Sequence, residues 1–178
     1  QLNAELAAEA PAADPGHRIH LAMGVGVSTG PCVVGNMGSR QRFDYSVLGD
    51  PVNLASRLEG QTKTYGVGTV IGEATRTLAP EFAALELDLI AVKGKREAVR
   101  VYGLLGPPSV AEDPAFRALA DRHAAMLAAY RGQRWAEARE LLEGCAALEP
   151  KLATLHHLYR ARVDHYEQHP PGPGWDGV

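Results

Sequence analysis

Apolar positions along this chain change their period twice, and the changes divide it into three zones. Residues 1–17, QLNAELAAEAPAAD and its continuation, have the composition of a helix end and break at Pro11, Asp14, Pro15 and Gly16. Residues 18–106 mix short alternating runs with helical ones. RIHLAMGVGVSTG reads as a strand closing on Thr29-Gly30, PCVVGNMGS as a second strand leading into a glycine-bearing turn, and FDYSVLGD as a third extended piece. A helix is predicted from Pro51 to about Lys63, then a strand over 68–71 and a short helix over 73–78. Two further strands flank the polar tip Lys93-Gly94-Lys95-Arg96-Glu97. Strands interleaved with helices predict an α/β or α+β sheet covered by helices.

Residues 107–113 read as a linker, and beyond it the period becomes purely helical. Phe116, Leu119, Ala120, His123, Leu127 and Tyr130 recur at helical spacing, as do Trp135, Ala138, Leu142 and Cys145, with Arg131-Gly132-Gln133 between the two runs. A third helix is predicted from about Leu152 to Gln168, before HPPGPGWDGV. Residues 114–178 are therefore expected to form an α-helical hairpin with one added helix.

Composition narrows the class. The chain has 178 residues, 46% of them hydrophobic, and a formal net charge of −3. That excludes a disordered tail and a polybasic nucleic-acid binder, so no nucleic-acid partner is expected. Cys32 and Cys145 fit no metal spacing and read as reduced thiols of a cytoplasmic protein. No apolar run is long enough to span a bilayer, and no signal peptide is visible. Because the chain opens on Gln1 with what looks like the tail of a helix, it is expected to be a fragment of a longer protein.

The stretch with chemistry in it is DYSVLGDPVNLASRLE, residues 44–59. Asp50 is the expected N-cap and Pro51 the first helical residue. Asn53 and Arg57 then project from neighbouring turns of one face, in the half of the helix where free amides and the dipole favour an anion. Taken alone, the pattern favours a solvated polar face, with Arg57 paired to Glu59 or to water.

The neighbourhood changes that judgement. GVGVSTG, VVGNMGS, a tyrosine-containing strand and GDPVNLASRLE follow in an order that closely resembles the catalytic domain of class III nucleotide cyclases, and VKGKREAVRVY resembles that family's last hairpin. The resemblance covers roughly residues 18–105. It implies an α+β fold, a partial ferredoxin-like cyclase sheet with helices. It also implies cyclisation of ATP or GTP by attack of the ribose 3′-hydroxyl on the α-phosphate, at a site shared by two domains of a homodimer and assisted by two Mg²⁺ or Mn²⁺ ions. On matching positions, Asn53 would orient the ribose and Arg57 would neutralise charge building on the α-phosphate. Lys93, with Lys95 as the fallback, would hold the β- and γ-phosphates. Arg42, with Arg40 competing, would reach phosphate. Ser46 stands at a base-reading position; its hydroxyl could serve the adenine amino group or the guanine carbonyl. Likeness to a threonine-bearing bacterial subclass points to ATP.

Gly49 and Asp50 are assigned to turning and capping, with Asp50 excluded as a metal ligand. In the family the metal-binding aspartates and a base-reading lysine lie upstream of the matched segment. Residues 1–17 hold only Asp14 as an aspartate and no matching motif. The fragment is accordingly expected to carry the nucleotide-facing half of a site, without metal ligands, and to be inactive alone. Two functional classes remain open. One is a purine nucleotide cyclase, adenylate ahead of guanylate; the other is a noncatalytic, cyclase-like regulatory module whose tail recruits a protein partner. The joint presence of Asn53, Arg57 and Lys93 favours the first.

In the tail, Tyr130, Gly132, Trp135, Ala138, Leu142, Ala146 and Pro150 loosely resemble one tetratricopeptide repeat, which would have to pack on the sheet, on the third helix or on a partner. A closing PPG…WDGV resembles the end of cyclases with an extracellular sensor. That implies the cytoplasmic portion of a membrane-anchored receptor. His156, His157, His165 and His169 are not read as a metal site, since adjacent histidines point to different helix faces. Trp135 and Trp175 read as packing residues.

Overall fold

Alternation along Ala83, Leu85 and Leu87, and a buried stripe along Leu54, Leu58, Thr62 and Tyr65, generate the two layers that meet in this protein. The computed structural model describes residues 22–39, 42–91 and 98–178, with side chains described for all of these except 37–39 and 42–44. The elements are β1 (Val25–Val27), β2 (Val33–Ser39), β3 (Arg42–Leu48), α1 (Asp50–Tyr65), β4 (Thr69–Gly72), α2 (Glu73–Leu78), β5 (Ala83–Ile90) and β6 (Val99–Gly106). After them come α3 (Pro108–Ala111), α4 (Pro114–Arg131), α5 (Trp135–Leu148), a 3₁₀ turn (Pro150–Leu152) and α6 (Ala153–Gln168).

The main sheet has the strand order β1-β4-β6-β5, with β1 parallel to β4 and the other neighbours antiparallel. β2 and β3 form a separate antiparallel hairpin in which Val33 faces Leu48 and Ser46 faces Gly35. The fold is thus the mixed sheet with helices that the pattern predicts. Three details differ. β1 is three residues long, shorter than the predicted run, of which residues 18–21 lie outside the described residues, as does the helix end at 1–17. The segment 107–113 contains α3, because Pro108 suits the first turn of a helix. α1 continues to Tyr65 and stops at Gly66, whose left-handed φ of 67° lets its N–H return to the Thr62 carbonyl.

The helical tail does not stand apart from the sheet. Leu85, Leu87 and Val101 of the strands share one buried cluster with Leu54, Leu58 and Tyr65 of α1, with Met126, Leu127 and Tyr130 of α4, and with Leu155, Tyr159 and Val163 of α6. Each such side chain withdrawn from water contributes about 1.5–3 kcal/mol before the entropy of ordering is subtracted. Two polar bonds fix the registration. His123 Nε2 donates to the Glu86 carbonyl at 2.6 Å, and the Tyr159 hydroxyl donates to the Leu87 carbonyl at 2.6 Å. A bulge between Glu86 and Asp88 breaks the alternation of β5, so Leu87 and Asp88 are both buried. At the far end of the tail, Trp135 stacks on Tyr166 and Trp175 packs edge-on against Tyr130, the packing roles expected for both tryptophans.

Two histidines carry a cost inside this core. His123 Nδ1 and both ring nitrogens of His156 are buried without a hydrogen-bond partner. Burial lowers both pKa values below the ordinary histidine value. The folded chain therefore resists protons that the unfolded chain binds once pH falls below about 6.5. Stability should hold from pH 8 to 7 and decline as pH falls from about 6.5 towards the lowered folded values. His156→Leu should flatten part of that decline and raise stability near neutrality by roughly 1 kcal/mol. Denaturant midpoints across pH 5–8 check both; a midpoint that rises on acidification would contradict the burial argument.

Candidate functional site

Two glycines decide where α1 lies. A Cβ placed on Gly26 of β1 would stand 2.0 Å from the Ala55 carbonyl oxygen and 2.4 Å from the Glu59 nitrogen, and one on Gly24 would stand 2.2 Å from Thr62 Oγ1. The helix backbone therefore rests directly on the strand backbone, closer than any side chain at those positions would allow. With Leu54 and Leu58 facing the sheet, Asn53 and Arg57 each precede a buried leucine by one position, about 100° around the helix, and both are exposed. The amide and the guanidinium share one outward stripe.

The helix start differs from the expectation. Gly49, not Asp50, is the N-cap; its φ of 153° suits glycine, and no side chain caps the free amides. Its carbonyl accepts from Val52 N at 3.1 Å and Asn53 N at 3.3 Å. Asp50 is the first helical residue and Pro51 the second, so the Asp50 carboxylate acts on the helix dipole and not as a hydrogen-bonding cap. The physical reason is that glycine makes the sharp entry by backbone alone. Asp50 instead helps line a cleft of about 430 Å³ at the helix mouth, with Ser28, Thr29, Pro51, Glu73 and Val99. One wall is fixed by a 2.9 Å hydrogen bond between the hydroxyls of Thr29 and Thr75.

Ser46 is half-buried in β3, with α1 beginning four residues later. Its partner across the hairpin is Gly35, where an added Cβ would meet nothing within 4 Å. The strand beside Ser46 thus contributes no side chain to cover the hydroxyl. Arg42 is the first residue of β3, but its side chain is outside what is described. Lys93, Lys95 and Arg40 lie outside the described residues. Of the residues singled out in the sequence, Asn53 and Arg57 are the two brought together on one face.

Sequence reasoning missed a third feature that bears on α1. Asp88, 3% exposed, accepts the Tyr65 hydroxyl at 2.9 Å and lies 2.7 Å from Arg162 Nη1. Burial, then the adjoining carboxylate, raises the Tyr65 pKa well above that of an ordinary phenol, so it stays a donor. Burial works against the Arg162 cation, but Asp88 outweighs it and raises its pKa. Only the β5 bulge turns Asp88 inward, and a bulge has no sequence signal here. The glycine seat was more legible, since two glycines at alternate strand positions signal close backbone approach.

A family model described as adenylate and guanylate cyclase catalytic domain matches residues 4–106, more than half of the chain. The chain belongs to this family. Among curated proteins it is similar to an adenylate cyclase of Anabaena cylindrica, 43% identical over 86 residues, which are 46% of this chain and 17% of that protein. It is also similar to an adenylate cyclase of Mycobacterium bovis, 46% identical over 90 residues, 51% of this chain and 19% of that protein. Among solved structures, the adenylyl cyclase CyaB from P. aeruginosa matches at 37% identity and a TM-score of 0.40, covering 45% of this chain and 40% of that one. The chain spans about a fifth or less of the length of these two curated relatives.

Cyclase domains of this family generally use divalent metal ions. Among the described residues, no group of three or more His, Cys, Asp or Glu side chains is placed to hold one. In the cleft, Asp50 and Glu73 are the carboxylates among the lining residues. The described part of this cyclase domain does not fit a resident metal pair; what α1 presents is the Asn53 amide and the Arg57 guanidinium on its exposed stripe.

Gly26→Ala should lift α1 from β1 and destabilise the domain by roughly 3 kcal/mol, the scale of an overpacked core site. Gly60→Ala, on the same helix where an added Cβ meets nothing within 4 Å, should not destabilise it. Urea midpoints of the two variants check the contrast; equal midpoints would contradict the seat.

Proposed function

We propose that this cyclase domain supplies the nucleotide-facing half of an adenylate cyclase site, which converts ATP to cyclic AMP and pyrophosphate between two copies of the domain. The observation that carries this reading is the exposed Asn53–Arg57 stripe on a helix seated too closely on its strand to turn. Membership of the cyclase family supports it, as do relatives named adenylate cyclases.

In this reading the ribose 3′-oxygen forms a bond to the α-phosphorus as the bond to the bridging oxygen of the leaving pyrophosphate breaks, and the hydroxyl proton passes to water. Arg57 balances the charge that accumulates on the α-phosphate oxygens, where a fixed guanidinium is worth most. Asn53 orients the ribose through its amide, which both donates and accepts. Ser46 reads the base edge in the space that Gly35 leaves open, and Lys93 and Arg42 bind the remaining phosphates. Divalent ions would supply Lewis-acid chemistry to such a site, and the residues to hold them are expected outside the described ones. A second copy fits the apolar side chains left exposed on β1 and the hairpin, among them Val33, Val34, Tyr45 and Leu48.

The helical tail we read as one tetratricopeptide-like hairpin turned inward, with α4 on β5 and α5 on α6. A protein partner would meet its outer face. The substrate being a cytoplasmic nucleotide, we assign this portion to the cytoplasmic side of a membrane-anchored receptor. No helix among the described residues is long and apolar enough to cross a membrane.

In a dimeric preparation carrying the family's metal-binding segment, Arg57→Ala should lower kcat for ATP by about 10²–10³-fold while KM changes by less than about threefold. Steady-state rates of cyclic AMP formation check it. Equal kcat values would remove Arg57 from the transition state.

A further inference from the structure

α1 ends on Tyr65, and that end is held by the tail. Tyr65 donates its hydroxyl to Asp88 Oδ2 at 2.9 Å, and the same oxygen lies 2.7 Å from Arg162 Nη1 on α6. Asp88 Oδ1 accepts the Leu89 amide at 2.9 Å. One buried carboxylate thus joins the helix that carries Asn53 and Arg57, the strand β5 and the tail helix α6. A second contact lies one residue further on. A Cβ on Gly66 would stand 2.4 Å from Thr154 Cβ, so the first turn of α6 rests on the α1 terminus.

We propose that Asp88 is a positioning residue for the Asn53–Arg57 stripe, and that the helical tail sets the register of that stripe by holding Tyr65 through it. The proposal rests on reading the stripe as the nucleotide-facing surface. The glycine seat at Gly24 and Gly26 fixes how near α1 lies to β1, but van der Waals contact alone resists sliding along the strand weakly. A charge-assisted hydrogen bond at one end is directional and does resist it. Arg57 and Tyr65 lie eight positions apart, roughly 12 Å along the axis of a continuous helix, so any slide at Tyr65 is carried to Arg57. A guanidinium that acts on a developing charge is sensitive to displacements of about 1 Å.

The test uses Tyr65→Phe, which keeps the buried ring and removes only the hydroxyl. In the 178-residue chain, backbone amide exchange across α1 should accelerate by roughly tenfold, while exchange in α5 stays as in wild type. Unchanged α1 exchange would overturn the brace. In a preparation that makes cyclic AMP, the same variant should lower kcat by about tenfold with KM within about twofold. Faster exchange with unchanged kcat would overturn the positioning role. A wild-type preparation that turns over neither ATP nor GTP would instead sink the cyclase reading, leaving the exchange result to decide the brace. Should Tyr65→Phe not fold, Arg162→Lys, which keeps the charge and loses the fixed fork, is measured in the same two ways and read by the same outcomes.

Discussion

How closely α1 lies on β1 governs the rest of this structure. At Gly26 a helix backbone and a strand backbone meet with no side chain between them, and Thr62 closes the same gap at Gly24. A helix so seated has little freedom to rotate, because its Leu54 and Leu58 side chains are already committed to the sheet. The positions one step before them are therefore turned outward. Those positions hold an amide and a guanidinium. Packing, with no reference to a ligand, puts this amide and this guanidinium together on the outer surface of α1.

The tail contributes through the same helix. A bulge in β5 buries a carboxylate that an uninterrupted strand would have turned the other way, and that carboxylate collects one donor from α1 and one from α6. A buried carboxylate is costly unless every partner is in place. Removing Arg162 would leave it uncompensated, at a cost of about 3–5 kcal/mol. The node is thus a commitment of the sheet to the tail, and the shared hydrophobic cluster spanning both halves is consistent with that.

Much of this was legible in the amino-acid sequence, for reasons that differ by element. α1, α2 and the three long tail helices follow from period and from Pro and Gly at their ends. The hairpin strands follow from alternation. The Asn53–Arg57 stripe was legible as a stripe, and its order among the other cyclase-like motifs gave it meaning. The capping role of Asp50 was misjudged because a glycine at positive φ can make the same turn without a side chain. The Asp88 node was invisible, since alternation predicts the wrong face for a residue just past a bulge. Tyr65 and Arg162 lie 97 positions apart and share no local pattern.

The most direct measurement is a crystal structure of the dimeric cyclase domain with 3′-deoxy-ATP, which keeps the triphosphate and lacks the attacking hydroxyl. The α-phosphate should lie within ion-pair distance of the Arg57 guanidinium and the ribose against Asn53, with α1 seated on Gly26 as it is here. A nucleotide bound with its phosphates away from α1, or with Arg57 turned from the cleft between the two copies, would contradict it.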